Sequence, residues 1–200
     1  MLNWKDFLMK FKKNDSTYYW TPISEAFYKV IKMVTKKEGK LLEFGSSTGH
    51  ISYRLAKKGY DVTLLDIRPE VIEIARRNFS RKRIKAKFIC DDIFNHTEKY
   101  DLAWNSGLIQ CYNDKRKDEL IKKIASITNR ILLFYPDTEN PNKKGGTNQY
   151  ITPGVGDAKE HSIKRIPEIT YTYFVKIHQG ILRRDTIGLN YDIYWLYATK

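Results

Sequence analysis

The 200-residue chain is predicted to fold as one α/β domain: a doubly wound, mainly parallel seven-stranded sheet, with N-terminal helices before it and an antiparallel C-terminal hairpin after it. Three observations predict this. Between Lys40 and Tyr135, short apolar runs of strand type alternate with helical runs, which is the pattern of βαβ units and a parallel sheet. Right-handed crossovers then place helices on both faces of that sheet. Past Ile169 the helical pattern stops and two alternating segments follow each other, as in a hairpin. The length suits a single domain with a sizeable core.

The elements follow in order. Leu2, Trp4, Phe7, Leu8 and Phe11 recur at helical spacing and predict a short amphipathic helix, which Asn14-Asp15-Ser16 interrupts. A second helix is expected to start at Thr21-Pro22, with threonine as N-cap and proline at the first helical position. It runs through Phe27, Val30, Ile31 and Val34 to Lys36-Lys37, where cations suit the helix dipole. Residues 1–38 are thus expected to form a helical cap. Within 39–135, strands are predicted at Lys40–Phe44, Asp61–Asp66, Lys85–Cys90, Asp101–Asn105 and Arg130–Tyr135. Helices are predicted at Gly49–Lys58, Pro69–Phe79 and Asp114–Thr128, the last with Leu120, Ile121 and Ile124 on one side. Pro136 to Glu160 is rich in Pro, Gly and Asn, and a structureless loop longer than about 15 residues is usually functional or disordered. Residues 136–168 are therefore expected to be a functional loop. Ile169–Ile181 and Gly188–Tyr197 are the expected hairpin strands within 169–200, with no room for a helix between them.

Composition excludes some classes. No run approaches the roughly 20 apolar residues of a membrane span. The first residues lack the continuous apolar core of a secretory signal. Cys90 and Cys111 form no CxxC pair, so neither a disulfide framework nor a metal site is expected, and a cytoplasmic setting is the expectation. The formal charge of +13 points to an anionic partner, nucleic acid first, or to lysine-rich composition alone. The basic runs are dispersed: Lys10 to Lys13, Arg76-Arg77, Arg81 to Arg83, Lys115 to Lys117, Lys143-Lys144 and Arg183-Arg184. Dispersion is what ordinary solvated faces would give.

The turn Gly45-Ser46-Ser47-Thr48-Gly49 is the first place where a doubly wound sheet binds ligands, beyond the carboxyl end of a strand. Glycine there permits positive φ and close approach of backbone to ligand, and the following helix start offers free amides. Asp66 ends the second strand, where a carboxylate can accept from both hydroxyls of a ribose. Dinucleotides and S-adenosylmethionine compete as ligands. The dinucleotide fingerprint needs glycine at positions one, three and six, and here they are Gly45, Ser47 and His50. Glycines at positions one and five, Gly45 and Gly49, fit the other ligand better. Glu43 points the same way, because a buried carboxylate needs partners such as an ammonium or loop amides and would repel a pyrophosphate.

At these positions the chain resembles the class I S-adenosylmethionine-dependent methyltransferases. Glu43-Phe44-Gly45-Ser46-Ser47-Thr48-Gly49 is similar to their first motif except at Ser47, and Val62 to Asp66 resembles their second. Phe88 to Ile93, with Asp91 and Asp92, resembles the third, and Tyr100 to Ile109 the fourth strand and the turn beside the methyl group. The resemblance spans roughly Lys40 to Lys200. It implies that the Gly45–Gly49 loop, Ser47 included, passes under the methionine part of the cofactor and that Glu43 sits near its ammonium or holds the loop amides. It implies that Asp66 binds the ribose, that Ile67 packs on adenine, that Asp92 accepts from the adenine amino group and that the Ile93 amide donates to the ring. Asn105 in the fourth motif is a further expected cofactor contact. Read singly, Asp66 is equally a helix cap and Asp92 a turn carboxylate.

The methyl acceptor is less legible. Asn105-Ser106-Gly107-Leu108 lacks the Asn- or Asp-Pro-Pro-aromatic signature of exocyclic-amine methylases of DNA, which argues against a flipped base. A small-molecule acceptor is expected first, a nucleic acid held by the basic surface second, and a non-catalytic binding protein third. The acceptor side is expected to draw on the aromatic run Tyr18-Tyr19-Trp20, on Gln110, Tyr112 and Tyr150, and on His161 and His178. Tyr19, His161 and His178 are the candidate catalytic groups, each with the plain alternative of a packed or surface side chain. The 136–168 loop would close over the acceptor.

Overall fold

A computed structural model describes residues 22–136, 164–187 and 192–200. The expected first helix, the aromatic run at Tyr18 to Trp20, Tyr150 and His161 lie outside the described residues. Helix α1 (Pro22–Val34) leads into β1 (Lys40–Phe44), α2 (His50–Lys57), β2 (Asp61–Asp66), α3 (Pro69–Arg81), β3 (Lys87–Cys90) and β4 (Leu102–Ser106). A 3-10 turn (Ile109–Cys111), α4 (Asp114–Ile127) and β5 (Arg130–Pro136) follow. The chain ends in α5 (Arg165–Tyr171), β6 (Lys176–Leu182), α6 (Arg184–Ile187) and β7 (Ile193–Thr199).

The seven strands form one sheet in the order β3-β2-β1-β4-β5-β7-β6. The first five are parallel, and β7 runs antiparallel to both β5 and β6. The period of two in each strand feeds two cores. Leu42, Phe44, Ile131 and Leu133 face α4 and α5. Leu41, Leu64, Leu132 and Phe134 face α1, α2 and α3 on the other side. On that side Phe27 of α1 stacks on Phe134 with ring centroids 4.1 Å apart.

The C-terminal part corrects the sequence expectation. Ile169 opens no strand: Arg165–Tyr171 is helical, and β6 starts only at Lys176. The β-branched and aromatic residues Ile169 to Tyr173 have strand propensity, but Ile166, Ile169 and Thr170 lie on one helical face and are buried in the core shared with α4. The Thr170 hydroxyl donates back to the Ile166 carbonyl (2.7 Å), so even its polar atom is satisfied within the helix. A short helix, α6, also stands between the two hairpin strands, where none was expected. Ile187 of α6 is buried against the α1 side of the sheet, which is what holds that turn in place.

Candidate cofactor site

Strand β1 lies between β2 and β4, so the turn after Phe44 sits at the point where the sheet order reverses. Its backbone is unusual in a regular way. Gly45, Ser47 and Gly49 all have positive φ, at 63°, 51° and 72°. Alternating left-handed residues are the backbone pattern of a nest, but here the Ser46, Ser47 and Gly49 amides are bonded within the protein. Ser47 thus holds the left-handed position that glycine fills most easily, at a cost of roughly 1 kcal/mol. The side chain is tolerated because its amide is fixed: Ser47 N–H donates to Asp66 Oδ2 (2.8 Å). Ser46 N–H donates to the Leu65 carbonyl (3.0 Å), tying the same loop to the end of β2.

Neither flanking glycine tolerates a side chain. A Cβ on Gly45 would lie 2.9 Å from Leu108 Cδ2 and 3.2 Å from Asn105 Nδ2, and one on Gly49 only 2.1 Å from Leu64 Cδ2. The loop is therefore pressed between β2 and the turn after β4. Asn105 supports it from that side. This residue is fully buried, donates from Nδ2 to the Phe44 carbonyl (2.6 Å) and accepts at Oδ1 from the Leu108 amide (2.8 Å). Both ends of its amide are used within the protein, joining β1 to the turn after β4.

Glu43 is 3 % exposed and faces α2, not the loop amides. Its Oε2 accepts from the Ser52 hydroxyl. Burial raises its carboxyl from the ordinary value to about 8, against the lowering effect of the Ser52 bonds and with a further upward push from Asp66. At neutral pH the side chain is mostly protonated, which reconciles a carboxyl with that position. Nearby His50 is shifted in the other direction, with burial lowering its imidazole to about 4. The two oppose each other at low pH. A raised folded pKa favours folding fully below the unfolded value and loses that contribution as pH rises toward 8. A lowered one is fully favourable above 6.5 and loses its contribution as pH falls. Between pH 6.5 and 8 Glu43 alone acts, so stability should fall by up to about 1.4 kcal/mol per pH unit, roughly 2 kcal/mol in all. Thermal melts of Glu43→Gln should show no such decline. An equal decline in the variant would remove Glu43 as its source.

At the end of β2, Asp66 is 2 % exposed and accepts from three groups. Besides the Ser47 amide, Arg68 forks onto it, with Nε to Oδ1 at 2.9 Å and Nη2 to Oδ2 at 3.0 Å. The Arg68 amide adds a bond to Oδ1 (3.1 Å). Sequence reading missed Arg68; its only signal is its place two residues past a strand-end acid. Ile67, between them, is 63 % exposed, an apolar side chain left open beside a polar cluster. The Asp91 amide donates to the Asp66 carbonyl (3.2 Å), which brings the end of β3 to the end of β2. Asp91 Oδ1 accepts from the Asp92 amide (2.7 Å) and Asp92 Oδ1 from the Phe94 amide (3.0 Å). Ile93 is buried. Arg116 stacks on Phe94, its guanidinium carbon 3.6 Å from the ring centroid. The Tyr112 phenol is held above its ordinary value by burial, with Asp92 and Asp66 adding to the shift, so it belongs to the same neighbourhood.

The structure therefore gathers Glu43, Gly45, Ser47, Gly49, Asp66, Ile67, Asp92, Ile93 and Asn105 at the carboxyl ends of β1 to β4. His178 is not among them. It is exposed on β6, stacked on Tyr197 at 6.3 Å, and β6 is four strands from β1, or about 19 Å.

The sequence of residues 41–130, the part that builds this site, matches a family model described as a methyltransferase domain. The chain is a class I S-adenosylmethionine-dependent methyltransferase. The methyltransferase is 27 % identical over 162 residues to a putative protein N5-glutamine methyltransferase of Methanocaldococcus jannaschii, covering 76 % of this chain and 80 % of the relative. It is 24 % identical over 173 residues to a ubiquinone biosynthesis O-methyltransferase of Coxiella burnetii, covering 80 % of this chain and 70 % of that one. Among solved structures, magnesium protoporphyrin IX methyltransferase from Synechocystis, with bound SAM, superposes with a TM-score of 0.67. That match has 17 % identity and covers 89 % of this chain and 78 % of that one, a likeness of fold. No helix among the described residues is long and apolar enough to cross a membrane.

Proposed function

We propose that this methyltransferase acts on a small-molecule acceptor. The observation that supports this reading is the state of the cations at the cofactor end of the sheet. Among the described residues, Arg116 is held by Glu119, Lys117 by Asp114, and Arg165 by Asp114 and Glu168, while Lys115 is exposed beside them. A polynucleotide acceptor needs cations beside the transferred methyl to hold its phosphates. Here most of those cations are paired with carboxylates.

The residues present fit the cofactor. The loop offers a positive-φ backbone that a ligand can approach closely, two glycines where a Cβ would collide with Leu108 or Leu64, and Ser46 Oγ, which is buried without a hydrogen-bond partner among the described residues. In the proposed arrangement the Gly45–Gly49 backbone holds the methionine part, with Glu43 below it. Asp66 accepts from the ribose hydroxyls once the Arg68 guanidinium gives up its two bonds to it, Ile67 covers one face of adenine, and Asp92 and the Ile93 amide meet its polar edge. Asn105 positions the loop instead of touching the ligand. When bound, the cofactor supplies an activated sulfonium methyl group for in-line transfer. The charged leaving group does most of the chemistry, so the chain's task is proximity, alignment and exclusion of water. The 136–168 region and residues 1–38 are the proposed acceptor-side cover. Free Cys90 and Cys111 suit a reducing, cytoplasmic setting.

The reading is tested by incubating the protein and methyl-tritiated cofactor with cell extract split by ultrafiltration. Label is expected in the low-mass fraction. Label confined to a nuclease-sensitive fraction would overturn the small-molecule assignment, and no transfer to any fraction would favour a non-catalytic binding protein.

A further inference from the structure

Cations dispersed along the sequence converge in the fold. In a parallel sheet each crossover helix ends at the pole where the next strand begins. Basic runs at helix ends and strand starts therefore meet there, opposite the loops that carry Gly45, Asp66 and Asp92. The densest part is the corner made by the ends of α2 and α3 and the start of edge strand β3. Lys57, Lys58, Arg81, Lys82, Arg83 and Lys85 are all exposed in it. Lys37, three residues past the end of α1, extends it, because its Cε lies 3.1 Å from where a Cβ on Gly59 would be. Carboxylates at this pole do not balance the cations. Glu98 is paired with Lys87, which leaves Glu38, Asp61 and Asp101, the last accepting from the Lys40 amide (2.8 Å). A helix C-terminus carries about half a negative charge, which one cation offsets. The end of α3 carries three in a row.

Backbone strain at the same place is an independent observation. Arg83 has a φ of 53°, and its amide and that of Ile84 close the end of α3 by bonding the Ser80 (2.9 Å) and Phe79 (3.0 Å) carbonyls. That is the left-handed closing position that glycine normally takes. Here a cation occupies it despite the strain.

We infer that this corner is a docking surface for the phosphate backbone of nucleic acid. No exposed large apolar side chain lies on α2, α3 or β3, and at the end of α1 only Met33 is exposed, so the surface has little to insert into a lipid interface and suits phosphates in water. It stands about 20 Å from the cofactor loops, the length of the intervening strands. Docked phosphates are thus held away from the methyl group, and the surface tethers the enzyme without presenting the acceptor. The inference is independent of which acceptor is methylated.

The test is fluorescence anisotropy with short mixed-sequence duplex RNA and duplex DNA, between about 50 and 200 mM salt. Wild type should bind both with a steep salt dependence. Arg81→Gln/Lys82→Gln/Arg83→Gly/Lys85→Gln should lose at least tenfold in affinity at low salt and flatten the log–log salt slope by about 3. Its affinity for S-adenosylmethionine should be unchanged. Arg83→Gly alone should melt at the same temperature or higher, since it relieves the strained backbone, yet bind the duplexes more weakly. Failure of wild type to bind either duplex, a variant slope equal to wild type, or binding to phosphatidylserine vesicles in preference to both duplexes would overturn the inference.

Discussion

Gly49→Ala is expected to lower the melting temperature by about 5–15 °C and to abolish measurable cofactor binding. Two effects add. At φ 72° an alanine is strained by about 1 kcal/mol. Its Cβ would also stand 2.1 Å from Leu64 Cδ2, and Leu64 is fully buried in the centre of β2. The contact can be relieved only by moving a packed strand side chain or lifting the loop off the sheet, and overpacking of this kind costs roughly 1–3 kcal/mol. The sum, about 2–4 kcal/mol, corresponds to the stated shift for a domain of this size. Lifting the loop would also separate the Ser47 amide from Asp66, so binding and stability should fail together. Gly107→Ala is the control. Its φ is 84°, but the nearest atom to a new Cβ is Gln110 Nε2 at 3.5 Å, so it carries strain without collision and should cost only about 1 kcal/mol. Equal melting temperatures for the two variants would show that the packing of Gly49 on Leu64 is not what fixes the loop.

Asp66→Ala is expected to weaken binding of S-adenosylmethionine by at least tenfold. A carboxylate that accepts from two ribose hydroxyls makes two charge-assisted bonds, each worth about 1.5–3 kcal/mol, and tenfold is about 1.4 kcal/mol. Tenfold is therefore a floor. The substitution also strips the partner from the Ser47 amide and from Arg68, so some loss arises from the loop itself. Asp66→Asn separates the contributions: it keeps an acceptor for one neighbour and lacks the charge. Its loop should survive, read as a near-wild-type melting temperature, while its affinity falls between wild type and Asp66→Ala. Unchanged affinity in Asp66→Ala would remove Asp66 from the ribose role.

Much of this arrangement is legible in the sequence because it rests on local rules. The helical run from Pro69 and the strands at 40–44 and 130–136 follow from apolar periodicity and from proline at a helix start. The clustering of Glu43, Asp66 and Asp92 follows from strand ends sharing one edge of a parallel sheet. What sequence reading missed depends on contacts between elements. Arg165–Tyr171 has the side chains of a strand and becomes a helix because α4 offers a face to cover. Asn105 reads as a ligand contact, and its bracing of β1 to the turn after β4 is not legible, because only the fold places Phe44 and Leu108 at its two ends. Ser47 breaks the glycine pattern, yet its backbone keeps the conformation that the pattern encodes. Lys57-Lys58 and the run from Arg81 to Lys85 become one corner because crossover geometry returns the end of each helix between parallel strands to the same pole.

The reference titration for Asp66→Ala is also the most direct test of the whole account: isothermal calorimetry of the wild-type protein with S-adenosylmethionine at neutral pH. Saturable one-to-one binding, weakened at least tenfold by Asp66→Ala and lost in Gly49→Ala, is the predicted result. No saturable heat from a wild-type protein that melts cooperatively would contradict it.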